Sequence, residues 1–159
     1  MGDMQRSRVW TTARESVFRV LLIEDDPEDA YLIRQALDEE GEGSFSLLRV
    51  ERLDAAIGSV GRTGADVVVA DLTLPDARGV EVPETLLSQF PHIPLVVLTG
   101  TRDEELGLLS IRLGAEDFIS KGQMTPRGLC KALRYAIERR RKTAPDDAGG
   151  GLHGGGSAK

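Results

Sequence analysis

Short apolar runs recur along the chain at nearly regular intervals, and each stops at a polar residue. Residues 18–23 (FRVLLI) lead into Glu24-Asp25-Asp26, and the run Val67, Val68, Val69, Ala70 stops at Asp71. Residues 94–98 (PLVVL) give way to Thr99-Gly100, and the shorter 117–120 (DFIS) to Lys121-Gly122. Aliphatic and β-branched runs without polar alternation read as strands buried on both faces. Residues 44–50 (SFSLLRV) mix polar and apolar positions, which predicts an edge strand. Helical spacing fills the gaps. Asp26 before Pro27 is an N-cap followed by a proline at the first helical position, and Ala30, Ile33 and Leu37 continue as one stripe to about Gly41. Residues 53–60 predict a short helix closed by Gly61 and Gly64. Val82, Leu86 and Phe90 predict a third helix, with Pro83 tolerated in its first turn. Leu106, Leu109 and Leu113 form the stripe of a fourth, with Gly114 as its C′ residue. Leu129, Leu133, Ala136 and Ile137 predict a last amphipathic helix to about Lys142.

Five strands alternating with five helices predict an α/β domain, a doubly wound parallel sheet with helices on both faces. A length of 159 residues allows one such domain with tails. The expected division is a disordered leader over 1–17, the domain over 18–142 and a flexible glycine-rich tail over 143–159. A single cysteine, Cys130, excludes an internal disulfide, and two distant histidines, His92 and His153, exclude a credible zinc site. No apolar run approaches the ~20 residues of a membrane span, and the first residues lack a signal-peptide core. The expected location is the cytoplasm. Net charge is −6, unevenly spread: residues 17–128 hold 10 Lys and Arg against 21 Asp and Glu, whereas residues 129–159 hold 7 against 3. An acidic body argues against nucleic-acid binding, which wants a basic face.

In a parallel sheet the carboxyl ends of the strands share one edge, and open α/β sheets place their chemistry there. That edge gathers Glu24, Asp25, Asp71, Thr99 and Lys121. Taken singly these residues are unremarkable, and Asp26 reads as a helix cap. Three carboxylates in one crevice repel one another, and a divalent cation relieves the repulsion. Oxygen ligands with room for water describe a Mg²⁺ site. Such an ion neutralises charge in phosphoryl transfer, with Lys121 as a point charge and the Thr99 hydroxyl as a donor. Asp71 is then the natural nucleophile.

These residues, with Phe118 three positions before Lys121, resemble the receiver domain of bacterial response regulators. The segments LLIEDDPEDAYLIRQAL, DLTLPDARG, VVLTGTRDEE and LGAEDFISKGQ follow its order and spacing across about residues 18–142. The resemblance implies a flavodoxin-like fold of strand order 2-1-3-4-5. It implies that Asp71 accepts phosphate from a phosphohistidine on a sensor histidine kinase or histidine phosphotransfer protein. Asp25, Asp71 and the backbone carbonyl of Thr73 would bind Mg²⁺, with Glu24 acting mainly through water. Lys121 would hold the phosphoryl group, Thr99 would move toward it, and Phe118 would swing inward, a bistable switch rather than an enzyme.

Three departures from the family stand out. Glu24 replaces the commoner aspartate. Gly122 stands where many members have a cis proline, and a cis Lys121–Gly122 bond would cost about 2.5–4 kcal/mol, so a trans bond is expected. Thr73 and Thr101 are not the acid or amide types that position an attacking water, which puts fast self-dephosphorylation in doubt. The last helix ends with five cations between Arg134 and Lys142. These suit the helix dipole; equally, the helix reads as a dimerisation face, through the fourth helix, fifth strand and fifth helix, or as the start of a signalling helix. A stand-alone receiver and a piece of a longer protein both fit. Two other classes fit the sequence less well. A haloacid dehalogenase-type phosphatase wants a second aspartate where Thr73 stands. A flavodoxin-type cofactor module wants a phosphate loop where Glu24-Asp25-Asp26 would repel one.

Overall fold

Successive residues of a strand point to opposite faces of the sheet, and Val20, Leu21, Leu22 and Ile23 are all buried, so the first strand is covered on both sides over these positions. The computed structural model describes residues 17–143. In chain order the elements are β1 (Phe18–Ile23), α1 (Pro27–Gly41), β2 (Phe45–Val50), α2 (Leu53–Thr63), β3 (Val67–Asp71), α3 (Glu81–Gln89), β4 (Leu95–Thr99), α4 (Glu104–Leu113), β5 (Asp117–Ser120) and α5 (Pro126–Thr143). A two-residue hairpin, Thr73–Leu74 against Ala77–Arg78, follows β3, and a 3₁₀ turn, Lys121–Gln123, follows β5. The five strands form one parallel sheet in the order β2-β1-β3-β4-β5, the flavodoxin-like order expected.

The two faces carry separate cores. Val20, Leu22, Val67, Val69, Val96 and Leu98 pack under α1 and α5, against Ile33, Leu37, Leu129 and Leu133. Leu21, Ile23, Val68, Ala70 and Val97 pack on the other face under α2 and α3, against Leu53, Ala56, Val82 and Leu86. β3 and β4 are buried at every position, as their unbroken apolar runs require. β2 lies at the sheet edge with an alternating, half-buried pattern. The Asp26 side chain caps α1 by accepting from the Glu28 amide at 2.9 Å.

Two local expectations need correction. α2 does not close at Gly61; it continues to Thr63, and Gly64, at φ 75°, ends it by donating its N–H to the Val60 carbonyl. The leucine stripe of α4 is not its buried face: Gly107 and Ser110 are buried, whereas Leu109 and Leu113 are exposed. The helix approaches β5 closely at Gly107, so its inward surface carries small residues; of the stripe only Leu106 packs against the core, while Leu109 and Leu113 face outward. Pro75 and Asp76 form the turn of the small hairpin that follows Asp71. Among the described residues no peptide bond is cis, so Lys121–Gly122 is trans as expected. Apart from their boundary residues Val17 and Thr143, the expected leader and tail lie outside the described residues.

Candidate functional site

The strand register assembles the site. Ile23 pairs with Ala70, so the next residues, Glu24 and Asp71, emerge side by side. Asp71 pairs with Leu98, which sets Thr99 one step beyond it, and Thr99 pairs with Ser120, which delivers Lys121. Carboxylate oxygens of Glu24, Asp25 and Asp71 lie within 4.8 Å of one another. Glu24 and Asp71 are buried and Asp25 is exposed.

Lys121 reaches into this cluster. Its Nζ lies 3.0 Å from Asp71 Oδ2 and 3.0 Å from Glu24 Oε1. The Asp71 contact is a hydrogen bond; the Glu24 contact is an ion pair without hydrogen-bond alignment. The other Asp71 oxygen, Oδ1, accepts from the Thr73 amide at 3.3 Å. Burial pushes the Glu24 carboxyl up to about 7, reinforced by Asp71 and opposed by Lys121. Burial pulls the Lys121 ammonium down, but its contacts with the Asp29, Glu24 and Asp71 carboxylates outweigh it, so Lys121 titrates above the ordinary lysine value and stays charged.

Hard oxygen donors converging around a carboxyl that resists ionising make a site suited to a divalent cation. Thr99 is 1% exposed, and its Oγ1 has no hydrogen-bond partner among the described residues. Phe118 is half-buried; its ring lies against Gly107, and the residue lines a cavity of about 330 Å³ shared with Thr99, Thr101, Glu104 and Gln123. The sequence-predicted residues are therefore all at one edge, with Glu24, Asp71 and Lys121 in direct contact and Thr99 and Phe118 beside them.

Three contributors escaped the sequence reading. Asp29, the third residue of α1, accepts from Lys121 Nζ at 2.7 Å. Its only signal was an acid in the first helical turn, which the helix dipole already explains. Arg49, at the end of β2, donates to the carbonyls of Glu24 at 2.9 Å and Asp25 at 3.2 Å and so braces the acidic loop. Asp76 accepts from the amides of Leu53 at 2.9 Å and Asp54 at 3.0 Å, tying the segment after Asp71 to the start of α2. Those amides hold its carboxyl below the usual range against the opposing effect of desolvation. In the sequence it sits between Pro75 and Gly79, residue types that mark a turn.

No helix among the described residues is long and apolar enough to cross a membrane. The chain is 30% identical over 139 residues to the transcriptional regulatory protein CreB of Escherichia coli K12, covering 87% of this chain and 54% of that protein. It is 31% identical over 132 residues to the KDP operon transcriptional regulatory protein KdpE of the same organism, covering 80% and 55%. The chain thus spans about half the length of these curated relatives. The signal receiver domain of a putative Luxo repressor protein from Vibrio parahaemolyticus superposes with a TM-score of 0.68 at 26% identity, over 79% of this chain and 93% of that one. The family model for the response regulator receiver domain matches residues 20–134. That match takes in every strand-end residue of the site, and this chain belongs to the response regulator receiver domain family.

Proposed function

We propose that residues 18–142 form a cytoplasmic phosphorelay receiver in which Asp71 takes a phosphoryl group from a phosphohistidine on a sensor histidine kinase or histidine phosphotransfer protein. The observation that carries this reading is the Lys121 ammonium 3.0 Å from the Asp71 carboxylate, inside an acidic cluster at the carboxyl end of a buried strand. A carboxylate oxygen of Asp71 bonds to phosphorus as the phosphorus–nitrogen bond breaks, and the imidazole nitrogen keeps the electron pair. Glu24, Asp25, Asp71 and the Thr73 carbonyl would hold Mg²⁺, which when bound supplies charge neutralisation at the phosphoryl oxygens. Lys121 holds one phosphoryl oxygen as a point charge, and the unpartnered Thr99 hydroxyl donates to another. Drawing Thr99 toward the phosphoryl group opens room for the Phe118 ring to turn inward from Gly107. The chain is a switch that catalyses only its own phosphorylation and slow dephosphorylation. Its output runs through α4, β5 and α5, where exposed Leu109 and Leu113 support a homodimer.

Incubation with acetyl phosphate and Mg²⁺ tests the acceptor. One hydroxylamine-labile phosphate per chain is expected, absent from Asp71→Asn; label that persists in the variant overturns the assignment. Thr73, two residues beyond Asp71, offers no carboxyl as general acid, which disfavours a phosphatase of the haloacid dehalogenase type. Steady release of phosphate from many phosphoesters would revive it. Gel filtration with and without beryllofluoride reads the dimer.

A further inference from the structure

The shortest contact of Lys121 is not to the proposed acceptor. Its Nζ lies 2.7 Å from Asp29 Oδ2, against 3.0 Å for Asp71 and 3.0 Å for Glu24. Asp29 stands on the first turn of α1, outside the group of three carboxylates that converge on one another. It bridges 92 positions of sequence to reach Lys121, and both side chains are largely shielded. The difference in position matters once the acidic cluster is charged with a cation. Glu24 and Asp71 would then turn their negative charge to the metal, and a divalent ion repels the ammonium beside it. Two of the three partners that hold Lys121 are weakened together. Asp29 keeps its charge and its hydrogen bond.

We propose that Asp29 is a positioning residue that retains Lys121 at the acceptor when the carboxylate cluster is occupied. The proposal rests on the receiver reading for its consequence, since Lys121 acts on a phosphoryl group only there; the retention itself does not depend on phosphorylation. With the metal absent, Glu24 and Asp71 suffice to hold the amine. With it present, Asp29 alone among the three is undiminished.

Two measurements on the full chain test this. Competitive acylation of amines with N-acetoxysuccinimide, read by mass spectrometry at Lys121 relative to exposed Lys131, reports how firmly the amine is held. In the native chain, adding magnesium chloride should change the Lys121 rate by less than about twofold; in Asp29→Ala the rate should rise roughly fivefold or more with magnesium and little without it. Asp29→Asn, which keeps the size of the side chain and loses its charge, should rise in the same direction. A Lys121 rate in either variant that stays at the native level in magnesium overturns the proposal. The second measurement is the maximal rate of phosphorylation by acetyl phosphate at saturating magnesium. Asp29→Ala should lower it about tenfold, the equivalent of one charge-assisted hydrogen bond, and should have less than about a twofold effect in a Lys121→Ala background. Equal losses in both backgrounds would mean that Asp29 does not act through Lys121. Failure of the receiver reading itself would appear differently, as no Asp71 phosphate in the native chain while the acylation result still stands.

Discussion

The ring of Phe118 occupies the place where any side chain at Gly107 would have to go: a Cβ built on Gly107 overlaps the ring, with Cε2 at 2.9 Å and two ring atoms closer still. Residue 107 is glycine because β5 presents an aromatic ring to α4 at that level. Phe118 also lines the cavity shared with Thr99 and Thr101.

The contact predicts a substitution whose sign depends on its neighbour. Gly107→Ala should destabilise the native chain by about 1–3 kcal/mol through overpacking, or turn the ring toward Thr99. In a Phe118→Ala background the same change should stabilise by about 0.5–1 kcal/mol, because glycine costs a helix backbone entropy. Urea unfolding of the four proteins reads the reversal, and ring-proton chemical shifts report where Phe118 goes.

Thr99 predicts the opposite balance between resting and loaded forms. Its hydroxyl is buried and unpartnered among the described residues. Thr99→Val removes a polar group of that kind at nearly constant shape, and the resting chain should gain about 1 kcal/mol of stability. On the proposed function beryllofluoride should raise the melting temperature of the native chain, and by less in the variant, which lacks the proposed donor to the phosphoryl mimic. Calorimetry with and without the mimic measures both.

Glu24 sets a pH dependence whose sign can be worked out. Its carboxyl ionises near 4.5 when unfolded and near 7 in the fold. Below pH 4.5 both states are protonated and nothing is lost. Between 4.5 and 7 the folded state holds the extra proton, so stability in chelator should fall as pH rises, by roughly 3 kcal/mol from this group, and level off above 7. In the proposed metal site magnesium would need the ionised Glu24 carboxylate, so its binding should be about tenfold weaker at pH 6 than at pH 8, with a proton released on binding. Isothermal titration in two buffers of different ionisation enthalpy checks the proton count. In Glu24→Gln both pH effects should disappear.

Asp76 predicts a local effect. Its carboxylate accepts from the Leu53 and Asp54 amides at the start of α2 and lies 3.8 Å from Arg52. Asp76→Ala should cost about 0.5–2 kcal/mol, as the loss of a helix cap does. Hydrogen exchange should show lost protection at those two amides before any change in α1 or α5.

Read in one dimension, the chain already held most of this protein. Unbroken aliphatic runs set β1, β3 and β4 because burial on both faces needs apolar side chains at every position, whatever the neighbours are. The polar residue that ends each run marks where the strand leaves the core, and parallel register must bring those ends to one edge. Glu24, Asp71, Thr99 and Lys121 were therefore legible as a set. The α4 face was not: the leucine stripe obeys helical period, yet Leu109 and Leu113 lie outward and only Leu106 reaches the core, because what turned Gly107 and Ser110 inward was the position of Phe118 on another element. The ion pair of Lys121 with Asp29 was equally hidden. An acid in a first helical turn has a sufficient local explanation, and only the packing of α1 beside the turn after β5 brings it 2.7 Å from an ammonium 92 residues away. Sequence determined which residues must be buried and which must end strands, since those follow from period and polarity. The tertiary structure decided which charges meet, because a contact between distant elements depends on distances and angles that no local pattern encodes.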